Sequence, residues 1–185
     1  MSDDIDQAIT ALQQGLLIAY PTEAVYGLGC DPQQPQAIQN LIELKQRDPD
    51  KGLILIASDF EQLHPYIDDP DDIHGLEAKA SWPGPVTWLW PGFNRESNLC
   101  PLLHGKHTGI AVRVTAHPVA RTLCEKFNGA IISTSANRQG DPPARTAQEV
   151  ASYFPNELAV IVDGELGDLN KPTPIYDVRS GYAIR

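Results

Sequence analysis

The chain has 185 residues, 42% of them hydrophobic, which suffices to bury one sizeable core and predicts a single domain over 1–185. Its formal net charge of -10, from 24 Asp and Glu against 14 Lys and Arg, opposes non-specific binding to polyanions unless the cations gather on one face. The first six residues are polar and acidic and no apolar run approaches the ~18 residues of a membrane span, so a cytoplasmic chain without membrane attachment is expected.

Ile5, Ala8, Ile9 and Leu12 stand at helical spacing behind an acidic first turn, which predicts a helix over 3–14 stopped at Gly15. LLIAY (16–20) reads as a buried strand feeding PTEAVYGLG, where Gly27 and Gly29 would permit a tight bend and close approach to a ligand. Pro35 opens a helix with Ala37, Ile38, Leu41 and Ile42 on one face, so Lys45 and Arg47 fall at or just past its carboxyl end. Cations there complement the helix dipole, or with Lys51 they form a three-cation group for a small anion. LILIA (53–57) predicts a second strand, and Ser58 with Glu61 a capping box for the next helix. Asp68, Asp69, Asp71 and Asp72 around Pro70 read as a solvated turn, because no Gly follows at calcium-loop spacing.

A helix over 71–81 is ended by WPGP, a strand follows at 86–90, and 92–108 is irregular. GIAVRV (109–114) is a strand in which Arg113 interrupts an apolar run; a buried guanidinium needs either a protein carboxylate or a ligand carboxylate. Pro118 opens a helix carrying Val119, Ala120, Leu123 and Phe127, and AIISTSAN (130–137) is a strand running into hydroxyls. Thr146 and Glu149 form another capping box, LAVIVDG (158–164) a further strand, and short segments follow around Ile175 and Ala183. The alternation of strands with helices predicts an α/β class: one mixed, twisted sheet with flanking helices. Ligands in such sheets sit beyond the carboxyl ends of strands, where PTEAVYGLG and STSAN both fall.

Common chemical signatures are absent: there is no GxxxxGK[ST], no GxGxxG, and no GxSxG elbow with a His partner for Ser133 or Ser135. Cys100, His104 and His107 have metal-compatible spacing but no evident fourth ligand, and no metal site is predicted. Trp82, Trp88 and Trp90 are weighed as a base-stacking platform or as core, with core favoured for alternate strand residues. Cys30, Cys100 and Cys124 are widely spaced and odd in number, which argues for free thiols in a reducing compartment.

PTEAVYGLGCDP, KQRDPDKGLILI, WPGPVT, AVRVTAHP and STSAN, in that order across nearly the whole chain, resemble the YrdC-type threonylcarbamoyl-AMP synthases in their short, single-domain bacterial (TsaC) form. The resemblance implies a YrdC-like (RibB-like) twisted α/β fold around a concave basic cavity. It implies conversion of L-threonine, bicarbonate and ATP, as a substrate accompanied by Mg2+, to threonylcarbamoyl-AMP and pyrophosphate, with no tightly bound cofactor. The product feeds threonylcarbamoyladenosine modification of tRNA together with TsaB, TsaD and TsaE-type proteins. By the family pattern Lys45, Arg47 and Lys51 hold the phosphates and are catalytic, while Tyr26, Ser135, Asn137 and Arg185 meet the nucleotide. Thr22, Arg113, Ser133 and Thr173 meet threonine. This chain carries Asp48 where the family commonly has Pro, and LNKPTP is one residue longer before Thr173. The alternative implied by the same family is a ribosome maturation factor that binds tRNA or double-stranded rRNA in the basic cavity.

Overall fold

Short runs of alternating apolar residues pair into one eight-stranded mixed sheet, seen in a computed structural model that describes residues 2–68, 73–92 and 99–184. The strands are β1 (Ile18–Pro21), β2 (Tyr26–Gly29), β3 (Ile54–Ala57), β4 (Thr87–Pro91), β5 (Gly109–Val114), β6 (Ile131–Ser135), β7 (Val160–Ile161) and β8 (Ile175–Asp177). Their spatial order is β7-β1-β2-β6-β3-β5-β4-β8, with β1/β7, β3/β5 and β4/β8 parallel and the other neighbours antiparallel. The helices are α1 (Ser2–Gln13), α2 (Pro35–Lys45), α3 (Ile73–Ala80), α4 (Pro118–Phe127) and α5 (Ala147–Tyr153). No helix among the described residues is long and apolar enough to cross a membrane.

The period of two divides the sheet into faces with different fates. On one face Leu28, Leu55, Val112 and Ile132 pack in a core that includes Ala37, Ile38 and Leu41 of α2. On the other, Ile18, Tyr20, Ile56 and Ile131 pack with Ile5, Ala8 and Leu12 of α1 and Val119, Ala120 and Leu123 of α4. Strand register continues that second face beyond the helices: Arg113 lies opposite Ile56, Ser133 opposite Ile54 and Gly27 opposite Ser135. Apolar residues thus change to hydroxyls and a guanidinium along the same strands, and this half of the face carries the candidate site.

Several elements differ from expectation for local reasons. The two glycines lie within β2 rather than at a tight bend; the turn falls at 22–25, before them. They are small because neighbours are close, not because the backbone needs a special φ. A Cβ on Gly27 would stand 3.3 Å from Ser133 Oγ, and one on Gly29 only 2.5 Å from the Ile132 carbonyl oxygen. Gly29→Ala is therefore expected to force β2 and β6 apart and to cost about 1–3 kcal/mol in urea denaturation, the usual range for overpacking. A midpoint unchanged from wild type would show that the strands can absorb the methyl group.

The Ser58–Glu61 capping box does not form. Asp59 accepts from the Gln62 amide at 3.1 Å, and the Gln62 side chain accepts from the Ser58 amide at 3.0 Å, so the reciprocal arrangement is shifted by one residue and leads only a 3-10 turn, Glu61–Leu63. At Thr146 the cap does form on the Glu149 amide, with the Glu149 carboxylate returning to the Arg145 amide. Trp88 and Trp90 are buried, and Trp82 stacks on Trp90 with ring centroids 6.0 Å apart, which makes the tryptophans core. Cys30, Cys100 and Cys124 are free thiols. No cluster of three metal-ligating side chains occurs among the described residues, so Cys100, His104 and His107 do not assemble one. The acidic turn at 69–72, residues 93–98 of the irregular stretch, and Arg185 lie outside the described residues.

Candidate functional site

A cavity of about 240 Å³ opens on the polar half of the second face, between the strand ends and the segments at 22–25 and 172–173. Arg47, Arg113, Thr22, Ser133, Ser135 and Thr173 line it, with Tyr26, Ile54 and Pro143 completing much of the wall. No Asp or Glu lies among the described lining residues, although the chain holds 24 of them. Local composition therefore reverses the sign of the whole molecule, which favours an anionic ligand here.

Arg113 is the most constrained of these groups. Its side chain is 5% exposed; Nη1 donates to Thr173 Oγ1 at 2.8 Å and to Thr87 Oγ1 at 3.3 Å, and Nη2 stands 3.3 Å from Glu23 Oε2. The protein carboxylate left open in the sequence is thus Glu23, held in turn by a 2.6 Å bond from Thr115 Oγ1 to its Oε1. Nε of Arg113 and Oε2 of Glu23 are both buried and neither has a hydrogen-bond partner among the described residues, so the Arg113–Glu23 contact is an ion pair without a hydrogen bond. A guanidinium on a cavity wall suits a carboxylate ligand.

Lys45 closes α2 and is 3% exposed. Its ammonium donates to the Ser135 carbonyl, to the Asn137 carbonyl at 2.6 Å and to Asn137 Oδ1 at 3.4 Å. Burial and the charge of Arg47 push Lys45 down to about 7, while the carbonyl oxygens around Nζ favour the ammonium form. Lys45 therefore supports the turn after β6 from behind and does not line the cavity. Arg47 does line it, anchored by Nε and Nη2 on the Gly52 carbonyl at 3.1 and 2.8 Å. Lys51 sits exposed on the 3-10 turn Pro49–Lys51 and is not on the cavity wall.

The remaining sequence-predicted residues divide between wall and frame. Ser135 lines the cavity and donates to Asn137 Oδ1 at 2.6 Å; the Asn137 amide closes the turn by donating to the Arg138 and Asp141 carbonyls at 3.0 and 2.7 Å. Thr22 Oγ1 donates to the Val25 carbonyl at 2.7 Å and so fixes the turn between β1 and β2. Tyr26 borders the cavity, but its hydroxyl is engaged with the Gly164 carbonyl at 2.9 Å and the Gly164 amide at 3.2 Å, and burial pushes the phenol up. Sequence reasoning missed Glu23 and Thr87 as partners of Arg113. Glu23 lay in the PTEA segment in plain view, and Thr87 in WPGPVT, but their pairing is set by strand order that no local signal reports.

Residues 10–184 match the Sua5/YciO/YrdC family model, described as "Telomere recombination". The threonylcarbamoyl-AMP synthase of Chromohalobacter salexigens is 50% identical over 184 residues, covering 100% of this chain and 97% of that protein. The threonylcarbamoyl-AMP synthase of Photobacterium profundum is 48% identical over 185 residues, covering 99% and 98%. Among solved structures, P. abyssi Sua5 complexed with L-threonine superposes with a TM-score of 0.87 at 31% identity, over 97% of this chain and 52% of that one. E. coli YciO superposes with a TM-score of 0.81 at 26% identity, over 96% and 84%. With a family model spanning nearly its whole length and full-length relatives at about half identity, the chain belongs to the Sua5/YciO/YrdC family.

Proposed function

We propose that this chain is a threonylcarbamoyl-AMP synthase. The observation that carries the proposal is the meeting of Arg47, Arg113 and the hydroxyls of Ser133, Ser135 and Thr173 on one cavity with no carboxylate among its described lining residues, in a chain otherwise rich in acids. The synthase names of the relatives at 48–50% identity and the threonine complex of P. abyssi Sua5 point the same way. No comparable observation favours the RNA-binding alternative.

In this mechanism the amine of L-threonine combines with bicarbonate to give the carbamate and water. A carbamate oxygen then attacks the α-phosphorus of ATP, the new P–O bond forms as the bond to pyrophosphate breaks, and threonylcarbamoyl-AMP remains. The Arg113 guanidinium donates to the threonine carboxylate, and Thr22, Ser133 and Thr173 shape the space for its side chain. Arg47 faces the phosphoryl oxygens, where negative charge is redistributed in the transition state. Ser135 meets the nucleotide from the turn that Asn137 and Lys45 hold, Tyr26 keeps the neighbouring wall in place, and Lys51 adds positive charge beside the Gly52 anchor of Arg47. Arg185 belongs to the nucleotide side by the family pattern.

The described wall offers hydroxyls and guanidiniums and no carboxylate, so it does not suit a protein-held Mg2+; the ion enters with the triphosphate as part of the substrate. Removal of Mg2+ from the assay acts on the substrate, not on the fold. The direct test is pyrophosphate release from ATP, expected only when L-threonine and bicarbonate are both present. Release that is indifferent to either one would reject the proposal.

A further inference from the structure

Glu23 has no role in the chemistry above, yet its surroundings hold it in one pose. Its carboxylate is 9% exposed, with Oε1 taking the 2.6 Å bond from Thr115 Oγ1 and Oε2 set 3.3 Å from Arg113 Nη2. Thr115 is itself fixed, because Oγ1 accepts from the His117 amide at 3.1 Å. The backbone is held as firmly: the Glu23 carbonyl accepts from the Leu169 amide at 3.1 Å, and a Cβ on Gly167 would stand 2.9 Å from Glu23 Cα. The carboxylate is thus anchored through Oε1 and the backbone, and Oε2 faces the guanidinium by charge alone.

Arg113 is hydrogen-bonded at Nη1 to Thr173 and Thr87 and ion-paired at Nη2 with Glu23. We infer that Glu23 is a positioning residue: its carboxylate, 3.3 Å from Nη2, holds the Arg113 guanidinium at the cavity wall for the carboxylate of the amino-acid substrate. The inference rests on the threonine-binding role proposed for Arg113. It also explains why an acid sits against a cation that is to hold an anionic ligand. A partly compensated guanidinium exchanges hydrogen bonds with an incoming carboxylate, whereas a bare one would hold any small anion.

A clamp on the substrate carboxylate acts equally before and during the reaction, so loosening it raises the KM for threonine and leaves kcat alone. Glu23→Gln keeps the shape and removes the charge. The expected result in steady-state pyrophosphate release is a threonine KM raised about ten-fold, with kcat and the ATP KM within about two-fold of wild type. Calorimetric titration with L-threonine should show the same loss of affinity. Unchanged threonine KM, or threonine and ATP KM rising together as they would if the cavity merely deformed, overturns the inference. Should Glu23→Gln fail to fold, Thr115→Val decides, since it removes the Oε1 bond, together with the acceptor of the His117 amide, and keeps the Glu23 charge: the same split at about three-fold supports Glu23 as positioner, and an unchanged threonine KM overturns it. Wild type that binds no L-threonine overturns the threonine role of Arg113 together with this inference; wild type that binds it as well as both variants do overturns this inference alone.

Discussion

Arg113→Ala is expected to abolish threonine-dependent pyrophosphate release and to destabilise the fold by about 3–5 kcal/mol, the range for removing one partner of a buried ion pair. The side chains involved are only 5% and 9% exposed, so solvent screening does little to soften the loss. Most of that cost comes from the partner left behind: without the guanidinium, the Glu23 carboxylate keeps its bond from Thr115 and has no cation. A double variant, Arg113→Ala with Glu23→Ala, removes the stranded charge. It should recover a large part of the stability in urea denaturation while recovering none of the threonine response. That separation distinguishes a residue needed for a ligand from one needed only for folding. A double variant no more stable than the single one would mean that the cavity wall, not the charge, accounts for the loss; a single variant that still answers to threonine would remove Arg113 from the site.

The same residue marks where sequence ceases to be informative. Arg113 stood out because a charge inside GIAVRV breaks an apolar run, and β5 formed where that run lies. Its partner could not be read, because Glu23 reaches the β5 end only once β1, β2, β6, β3 and β5 stand side by side, and Thr115 and Glu23 are 92 positions apart. Strong helical periodicity with a proline start gave α2 and α4 nearly to the residue. The strand expected over 158–164 shrank to β7, Val160–Ile161, since its pairing with β1 spans only two residues before the chain leaves the edge. Gly27 and Gly29 show a different limit: composition cannot tell a glycine required for φ from one required by a neighbour 2.5 or 3.3 Å from its missing Cβ. The cations were legible as a group, but only Arg47 of the three reaches the cavity wall, because Lys45 points under the β6 turn and Lys51 out to solvent.

Lys45→Met should retain the volume of the buried stem and strip the donor from the Ser135 and Asn137 oxygens. The turn that presents Ser135 then loses its support, and pyrophosphate release is expected to fall about 100-fold, the order that a displacement near 1 Å costs a positioned reaction. Stability adds an independent handle. Folding lowers Lys45 to about 7 from the ~10.4 of an unfolded chain. Below pH 7 both states carry the proton and the fold bears the full cost of the buried charge. Between pH 7 and ~10.4 the unfolded chain binds a proton that the fold has released, so wild-type stability rises with pH across that window relative to the methionine variant. The measurement is the difference in unfolding free energy between the two proteins, followed from pH 6 to pH 10. A difference that stays level would mean that the carbonyl oxygens around Nζ outweigh burial and keep Lys45 charged throughout; the ammonium would then be a permanent strut of the turn, with no proton to release.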